Sequence, residues 1–303
     1  MRQVDEMLEK SVVRLIGAVD SERFGAHLAT VCAAQGATIT RIDAANPMAV
    51  EQVASGPVEA EQWRIEGPFE AYSLLRELLP WAREEGAIVI LSRSARPVRT
   101  ALFDLDATLT TCEFLDALAD ELGIGDRTRE LTRAAMAGET DFAESYRTRL
   151  KLFAGTPLTR IDAVIARLQL TDGAKKMFKT LCQHAIPTAI VTGGDAHVGR
   201  AIQRRLGTDA LYATELEEVD GKLTGQITGE LLDETAKVRA LDDLCIKNGC
   251  RPAECAAVGD GANDLRMLAT AGHAVLYSAM PENPSRRQSI DRILDFLELA
   301  GQK

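Results

Sequence analysis

Residues 101–108 have the sequence ALFDLDAT, in which a short apolar segment leads directly into two aspartates, Asp104 and Asp106. A short apolar segment bounded by polar turn residues is typical of a buried β-strand. A carboxylate is already an anion at neutral pH and can attack phosphorus without a helper base, and a second carboxylate nearby can serve as acid and base. Two aspartates after a strand are weak evidence on their own, because ordinary turns also favour aspartate.

Two later segments place polar residues at the ends of further predicted strands. PTAIVTGG (187–194) ends in Thr192 and two glycines, and CAAVGDGAND (255–264) contains Asp260 in a glycine-rich turn. A threonine hydroxyl and the backbone amides of such a turn can bind phosphate oxygens. An aspartate offers the hard oxygen ligand that Mg²⁺ prefers.

Lys237 lies on the first turn of a predicted helix between these two segments. Its ammonium group would neutralise phosphate charge and the field of the clustered aspartates. A lone lysine is more often a solvated surface residue, so its interpretation depends on the three strand ends.

From residue 101 onward, apolar strand segments alternate with helical segments, which predicts an α/β fold with a doubly wound parallel sheet. A long stretch of helical periodicity at about 112–182 interrupts the alternation and predicts a helical insert, and Asp220-Gly221 predicts a hairpin turn. Ligands bind at the carboxyl ends of the strands in such sheets. The aspartates and Thr192 described above all follow predicted strands, so we expect them at one edge of the sheet.

The first hundred residues carry strand and helix signals in the order β-α-β-β-α-β, which predicts a small α+β unit with a ferredoxin-like connection pattern. SARPVRT (94–100) is polar, contains a proline and predicts a linker. We therefore expect two domains, 1–96 and 97–303. The tail SIDRILDFLELAGQK (289–303) has apolar residues at helical spacing and predicts an amphipathic helix on the core.

Composition narrows the class of protein. The 303-residue chain is 46% hydrophobic, as in ordinary globular proteins, and its net charge of -10 disfavours a nucleic-acid partner. No apolar stretch is long enough to span a membrane and the start carries no secretory leader, so we expect no membrane partner and a cytoplasmic location. Cys245, Cys250 and Cys255 lack the paired spacing and the histidines of a zinc site, and we expect reduced structural thiols.

Together, four motifs resemble those of the haloacid dehalogenase superfamily of phosphatases in order and spacing: DLDAT (104–108), Thr192, Lys237 and GDGAND (259–264). Within it, residues 101–282 resemble the phosphoserine phosphatase family. GDGANDLRM and VDGKLTG are similar to sequences of that family, and the helical insert also matches.

The resemblance implies a phosphatase in which Asp104 is the nucleophile and forms a phospho-aspartyl intermediate. Asp106 would be the acid and base. Mg²⁺ would be bound by the Asp104 carboxylate, the Asp106 backbone carbonyl and Asp260. Asp264 would support the metal either from behind these ligands or from the rim of the site. The implied phosphate-binding groups are Thr192, Gly193 and Lys237.

The resemblance also implies a small-molecule substrate, O-phospho-L-serine, bound under the helical insert. Glu113 would bind its ammonium group, and the planar fork of Arg149 would bind its carboxylate. Met136 and Phe142 would close over the substrate, and Asn263 would also contact it. Without the resemblance, Glu113 and Arg149 would be interpreted as a solvated helical face.

The chain departs from the family's pattern at Ala107, Thr192, Asp195, His197 and Met280. Asp195 and His197 bring titratable groups close to the predicted phosphate site, so they bear on substrate identity more than on reaction type. The simpler interpretation is that both cap the following helix.

The N-terminal unit resembles the ACT-type regulatory domains. GAVDSERFG (17–25) lacks the glycine signature of an amino-acid site, so we hypothesise a degenerate domain that serves homodimerisation, with serine binding as the alternative. Two other functions stay open: a phosphatase or phosphotransferase for another small phosphomonoester such as phosphohomoserine, and a non-catalytic amino-acid sensor. Clustered carboxylates repel one another and cost stability, so the intact quartet of Asp104, Asp106, Lys237 and Asp260 argues against a sensor.

Overall fold

The computed structural model of the chain describes residues 11–17, 20–42, 60–136, 142–279 and 288–300, without the side chains of 132–136 and 142. One sheet of ten strands runs through these residues and joins an N-terminal unit to a C-terminal unit. Met280, one of the departures from the family's pattern, lies outside the described residues. The side chains of the predicted site residues Met136 and Phe142 also lie outside them.

The N-terminal unit has the predicted sequence of strands and helices. Its elements are β1 (Ser11–Ile16), α1 (Ser21–Ala33), β2 (Thr38–Ile42), β3 (Ala60–Glu66), α2 (Ala71–Glu85) and β4 (Ile88–Ser92). The strands lie in the order β2-β3-β1-β4 with antiparallel neighbours. This order confirms the ferredoxin-like connection pattern.

Helix α2 is fixed at both ends. At its start the Glu70 carboxylate accepts hydrogen bonds from the backbone N–H groups of Tyr72 and Ser73, at 2.9 and 2.6 Å. At its end Gly86 has a φ of 63°, a left-handed conformation that glycine adopts without a steric cost. The helix buries an apolar face that consists of Ala71, Leu74, Leu75, Leu78, Leu79, Trp81 and Ala82.

The C-terminal unit confirms the predicted α/β fold with a parallel sheet. Its elements are β5 (Thr100–Asp104), α3 (Phe114–Glu121), α4 (Gly125–Met136), α5 (Phe142–Lys151), α6 (Leu158–Arg167), α7 (Ala174–Gln183), β6 (Thr188–Asp195), α8 (Ala196–Leu206), β7 (Ala210–Val219), β8 (Lys222–Thr228), α9 (Glu234–Lys247), β9 (Cys255–Gly259), α10 (Leu265–Thr270) and β10 (His273–Leu276). Strands β10-β9-β5-β6-β7 are parallel, and β8 adds an antiparallel edge.

The helical insert and the hairpin lie where the sequence predicts them. Helices α3 to α7 follow β5 and precede β6, and α5 packs against β8. The hairpin between β7 and β8 turns at Asp220 and Gly221, whose φ angles of 50° and 71° match the twist of an antiparallel pair.

The two units share one continuous sheet, which the sequence did not predict. Strand β4 pairs antiparallel with β10, with Ser92 opposite His273. The His273 ring lies 3.2 Å from the Ser92 hydroxyl and 3.0 Å from the carbonyl oxygen of Arg96. Helix α2 also packs on α10. Within the segment predicted as a linker, Val98 pairs with Leu299 and Thr100 begins β5.

The predicted amphipathic helix of the tail packs on the core, but Ile290–Phe296 form a 3-10 helix and not an α-helix. Ile290 and Ile293 are three residues apart and both buried, which suits the tighter repeat of that helix. The Asp291 carboxylate lies 2.9 Å from the Lys176 ammonium at the start of α7 and anchors the segment on the core. No helix in the described part of the chain combines the length and apolar character needed to cross a membrane.

Candidate active site

The carboxyl ends of the adjacent parallel strands β5, β6 and β9 form the floor of the candidate site. Strand β5 lies between β9 and β6, so residues at the three ends are brought together. Asp104 ends β5, Thr192 lies near the end of β6, and Asp260 directly follows β9. All three are buried.

Lys237 lies at the centre of this floor and is 0% exposed. Its Nζ donates hydrogen bonds to Oδ1 of Asp104 at 2.5 Å and to Oδ1 of Asp264 at 2.7 Å. The first turn of α9 positions it, and Asp233 caps that turn by accepting from the backbone N–H groups of Thr235 and Ala236. Burial lowers the pKa of Lys237, but the two carboxylates outweigh burial and raise the pKa above its usual value. The lysine is therefore positively charged at neutral pH.

Three buried carboxylates form an acidic cluster. One oxygen each from Asp104, Asp260 and Asp264 lies within 4.8 Å of the others. Burial first, and then the charge of Asp264, raises the pKa of Asp104 well above its usual value, and the same two causes raise the pKa of Asp260 to about 7. Carboxylate oxygens at this spacing, with more negative than positive charge, fit a hard divalent cation such as Mg²⁺.

Asp106 lies beside the cluster, where its side chain has other partners. Its Oδ1 accepts a hydrogen bond from the backbone N–H of Phe114 at 2.9 Å, and its Oδ2 lies 3.4 Å from the Thr192 hydroxyl. The same hydroxyl accepts from the backbone N–H of Gly194 at 2.8 Å. Burial raises the pKa of Asp106, which favours the protonated form that an acid catalyst needs.

Two glycines permit the close packing of these carboxylates. A Cβ on Gly259 would lie 2.5 Å from Cγ of Asp264, and a Cβ on Gly194 would lie 2.9 Å from Oδ2 of Asp106. Strand β6 also leaves regular pairing between Thr192 and Asp195, which opens the backbone around Gly193. The glycines of both motifs are therefore explained by close approach.

The helical insert supplies charged groups above the floor. Glu113 lies at the N-cap position of α3, and Arg149 lies in the last turn of α5. The residue Glu113 is exposed as a whole, but protein surrounds its carboxyl group. This desolvation, together with the charges of Asp106 and Asp260, raises the pKa of Glu113 to about 8. The positive charge of Arg149 opposes this rise. The guanidinium of Arg149 lies 5.9 Å from the ring centre of Tyr146.

The remaining predicted residues have mixed placements. Asn263 is half-exposed, within the 3-10 turn Ala262–Asp264. Asp195 accepts a hydrogen bond from the backbone N–H of His197 at 3.0 Å, as the capping interpretation predicts. The His197 ring lies 3.0 Å from the Asp162 carboxylate on α6. Both departures from the family's pattern thus have structural partners.

Two further residues, which were not predicted from the sequence, lie near the site. Tyr146, on α5, is buried, and its pKa is raised by burial and by the charges of Asp195 and Asp106. It lies one helical turn before Arg149, so helical spacing could have identified it. Arg83, on α2, lies 3.2 Å from Asp260, and no local pattern connects residues 177 positions apart.

Comparisons with known proteins agree on one family. The profile of the haloacid dehalogenase-like hydrolases matches residues 101–269. A phosphoserine phosphatase of Streptomyces coelicolor is 35% identical over 274 residues, which are 90% of this chain and 65% of that protein. A phosphoserine phosphatase of Lactococcus lactis is 39% identical over 208 residues, which are 67% of this chain and 96% of that protein.

A solved structure shares the fold of the C-terminal unit. It is described as a phospho-aspartyl intermediate analogue of phosphoserine phosphatase and matches with a TM-score of 0.54 at 36% identity, over 58% of this chain and 85% of that one. The chain spans less than two thirds of the length of several curated relatives, 54% and 46% for two further phosphoserine phosphatases.

Proposed function

The chain belongs to the haloacid dehalogenase-like hydrolase family, and from this premise we propose that it is a magnesium-dependent phosphatase that hydrolyses O-phospho-L-serine. The observation that carries the proposal is the pair of hydrogen bonds from Lys237 to Asp104 and Asp264 inside the acidic cluster. A buried lysine that holds one carboxylate in place while the cluster remains negative is suited to phosphoryl transfer.

Asp104 is the proposed nucleophile. Lys237 binds its Oδ1, which leaves Oδ2 to attack phosphorus in line with the ester oxygen. The new Oδ2–P bond forms as the P–O bond to serine breaks, and the product of this step is a phospho-aspartyl group. Thr192, the backbone at Gly193 and the Lys237 ammonium stabilise the charge on the other phosphoryl oxygens.

Asp106 is the proposed acid and base. In its protonated form it gives a proton to the serine oxygen as the P–O bond breaks. In the second step it accepts a proton from the water that attacks phosphorus, which releases phosphate and restores Asp104. Its hydrogen bonds from Phe114 and Thr192 hold the carboxyl group in one orientation for both transfers.

The residues proposed to hold Mg²⁺ are the Asp104 carboxylate, the backbone carbonyl of Asp106 and the Asp260 carboxylate. When bound, the cation neutralises charge on the phosphoryl group and lets two anions approach each other. Asp264 acts through Lys237, which it holds at 2.7 Å.

The proposed substrate contacts lie in the helical insert and the last motif. Glu113 binds the ammonium group of the substrate, and Arg149 binds its carboxylate. The raised pKa of Glu113 means that a cationic ligand displaces a proton when it binds. The remaining contacts proposed from the family are Met136, Phe142 and Asn263.

We also propose the division into domains 1–96 and 97–303, an ACT-like origin of the first, homodimerisation through it and a cytoplasmic location. The ferredoxin-like strand order supports the ACT-like origin. Tight binding of serine to the N-terminal unit in calorimetry would overturn the idea that this unit is degenerate.

The deciding experiment measures phosphate release from O-phospho-L-serine, with and without Mg²⁺, for the natural chain and for Asp104→Asn. We expect turnover only with Mg²⁺ and only with Asp104. A panel of O-phosphohomoserine, sugar phosphates and p-nitrophenyl phosphate tests the substrate. If O-phospho-L-serine reacts no faster than these, the reaction type survives but the substrate assignment is wrong.

A further inference from the structure

Arg83, on helix α2 of the N-terminal unit, contacts a carboxylate of the active site. Its Nη2 donates a hydrogen bond to Oδ2 of Asp260 at 3.2 Å. The Asp260 side chain is 6% exposed, whereas that of Arg83 is 43% exposed. A guanidinium that reaches a buried carboxylate of another unit connects the two units by charge as well as by packing.

Two cationic side chains pair with the carboxylates of the acidic cluster. Lys237, from the C-terminal unit, binds Asp104 and Asp264. Among the salt bridges of the described residues, the partner of Asp260 is Arg83. The three carboxylates and the Lys237 ammonium have a formal net charge of −2, which one divalent cation would neutralise. The guanidinium of Arg83 neutralises one of these two negative charges.

The packing of α2 determines where this charge lies. Arg83 is in the last turn of α2, which ends at Gly86 and leads into β4. Strand β4 pairs with β10, and α2 packs on α10, the helix that follows the Asp260 turn. The position of Arg83 relative to Asp260 therefore depends on how the N-terminal unit docks on the C-terminal unit.

We propose that the N-terminal unit sets the metal affinity of the active site through Arg83, which competes with the divalent cation for the charge of Asp260. The inference rests on the metal site of the proposed function. A fixed positive charge lowers the negative potential that attracts a cation and repels the cation once it is bound. Because coupling between sites is reciprocal, displacement of α2 from α10 raises the metal affinity, and a bound cation weakens the hold of Arg83 on Asp260.

Three substitutions separate this charge effect from simple orientation of Asp260. Arg83→Gln keeps a hydrogen-bond donor and loses the charge, Arg83→Lys keeps the charge and loses the planar fork, and Arg83→Ala loses both. The matched control is Arg76→Gln, on the same helix, where Arg76 is 58% exposed and pairs with Glu77 at 3.5 Å.

The experiment titrates the metal-stripped full-length proteins with MgCl₂ in a calorimeter at constant ionic strength. We expect Arg83→Gln and Arg83→Ala to bind Mg²⁺ about 3- to 10-fold more tightly than the natural chain, as for a half-exposed charge a few ångströms from a dication. Arg83→Lys and Arg76→Gln should stay within about twofold of the natural chain. Thermal unfolding in EDTA establishes that each variant folds. If Arg83→Ala does not fold, the comparison of Arg83→Gln with Arg83→Lys tests the proposal.

Weaker binding by Arg83→Ala with no change in Arg83→Gln would overturn the proposal, because Arg83 would then only orient Asp260. Equal affinities for all variants would overturn it as well. If the natural chain itself binds no Mg²⁺, the metal site of the proposed function fails first. The two failures are therefore distinguishable.

Discussion

The floor of the active site and the helical insert above it use different kinds of residue. On the floor, Asp104, Lys237 and Asp264 are buried and joined by hydrogen bonds of 2.5 and 2.7 Å. In the insert, Glu113 and Arg149 lie at the ends of helices and are partly open to solvent. Buried hydrogen bonds hold the groups of the floor in fixed positions. The charged groups of the insert are more open to solvent, so we expect their replacement to alter the choice of substrate more than the reaction.

After loss of the nucleophile Asp104 itself, the largest effect should come from Asp106→Asn on the floor, which removes the proposed acid and base. We expect turnover of O-phospho-L-serine to fall on the order of 10³-fold, because the serine alkoxide leaves poorly without a proton. The p-nitrophenolate ion leaves without protonation, so stopped-flow absorbance should still show a rapid burst followed by slow turnover. Loss of the burst would mean that Asp106 is needed for more than proton transfer.

Lys237→Met tests whether the floor depends on its buried cation. The substitution leaves Asp104 and Asp264 as buried carboxylates without their partner, and we expect a loss of about 3–5 kcal/mol in the free energy of unfolding, measured with urea in EDTA. The control is Lys247→Met, at a surface lysine paired with Asp243 at 2.6 Å, which should cost less than about 1 kcal/mol. Equal losses would contradict the central place of Lys237.

Arg149→Ala tests the insert and should change substrate choice while the reaction persists. We expect kcat/KM for O-phospho-L-serine to fall about 10- to 100-fold, as for loss of a charge-assisted bidentate contact. O-Phosphoethanolamine has the ammonium and phosphate groups without the carboxylate, so its kcat/KM should hardly change. Arg147→Ala, at an exposed position of the same helix, is the control. A similar fall with both substrates would assign Arg149 a structural role.

Asp195→Asn tests a buried carboxylate next to the floor, at the start of α8, and should have the smallest effect of these substitutions. Burial raises the pKa of Asp195 from 3.8 to about 6 in the folded protein. Ionisation therefore costs more in the folded than in the unfolded state, and Asp195 lowers stability as the pH rises from about 4 to above 6.

Asparagine caps a helix as well as aspartate, so Asp195→Asn should stabilise the protein by about 1–3 kcal/mol at pH 8. The gain should vanish near pH 4 in denaturant unfolding curves. Asp20→Asn, at the exposed N-cap of α1, is the matched control. A gain that does not depend on pH would contradict a raised pKa for Asp195.

Much of the floor could be predicted from the sequence because strand ends carry local signals. Asp104, Thr192 and Asp260 each follow an apolar segment, and parallel strands bring such ends to one edge. Lys237 depended on the resemblance, because a lone lysine at a helix start is usually solvated. The order of the four motifs along the chain identified Lys237 as a candidate site residue, which its own residue pattern could not do.

Features that depend on contacts between distant segments could not be predicted. The pairing of β4 with β10 and the contact of Arg83 with Asp260 join the two units, and strand periodicity does not specify which edges meet. For the tail, the sequence predicts packing on the core but not the type of helix, because apolar residues three apart suit a 3-10 helix as well as an α-helix.

The claim that Asp104 attacks phosphorus can be tested most directly by trapping the intermediate. The protein is mixed with O-phospho-L-serine and Mg²⁺, quenched in acid and reduced with borohydride, which converts an aspartyl phosphate to homoserine. Mass spectrometry of the peptides should then find homoserine at position 104 and nowhere else. Aspartate unchanged at 104 while phosphate is released, or phosphate on another residue, would contradict the proposed mechanism.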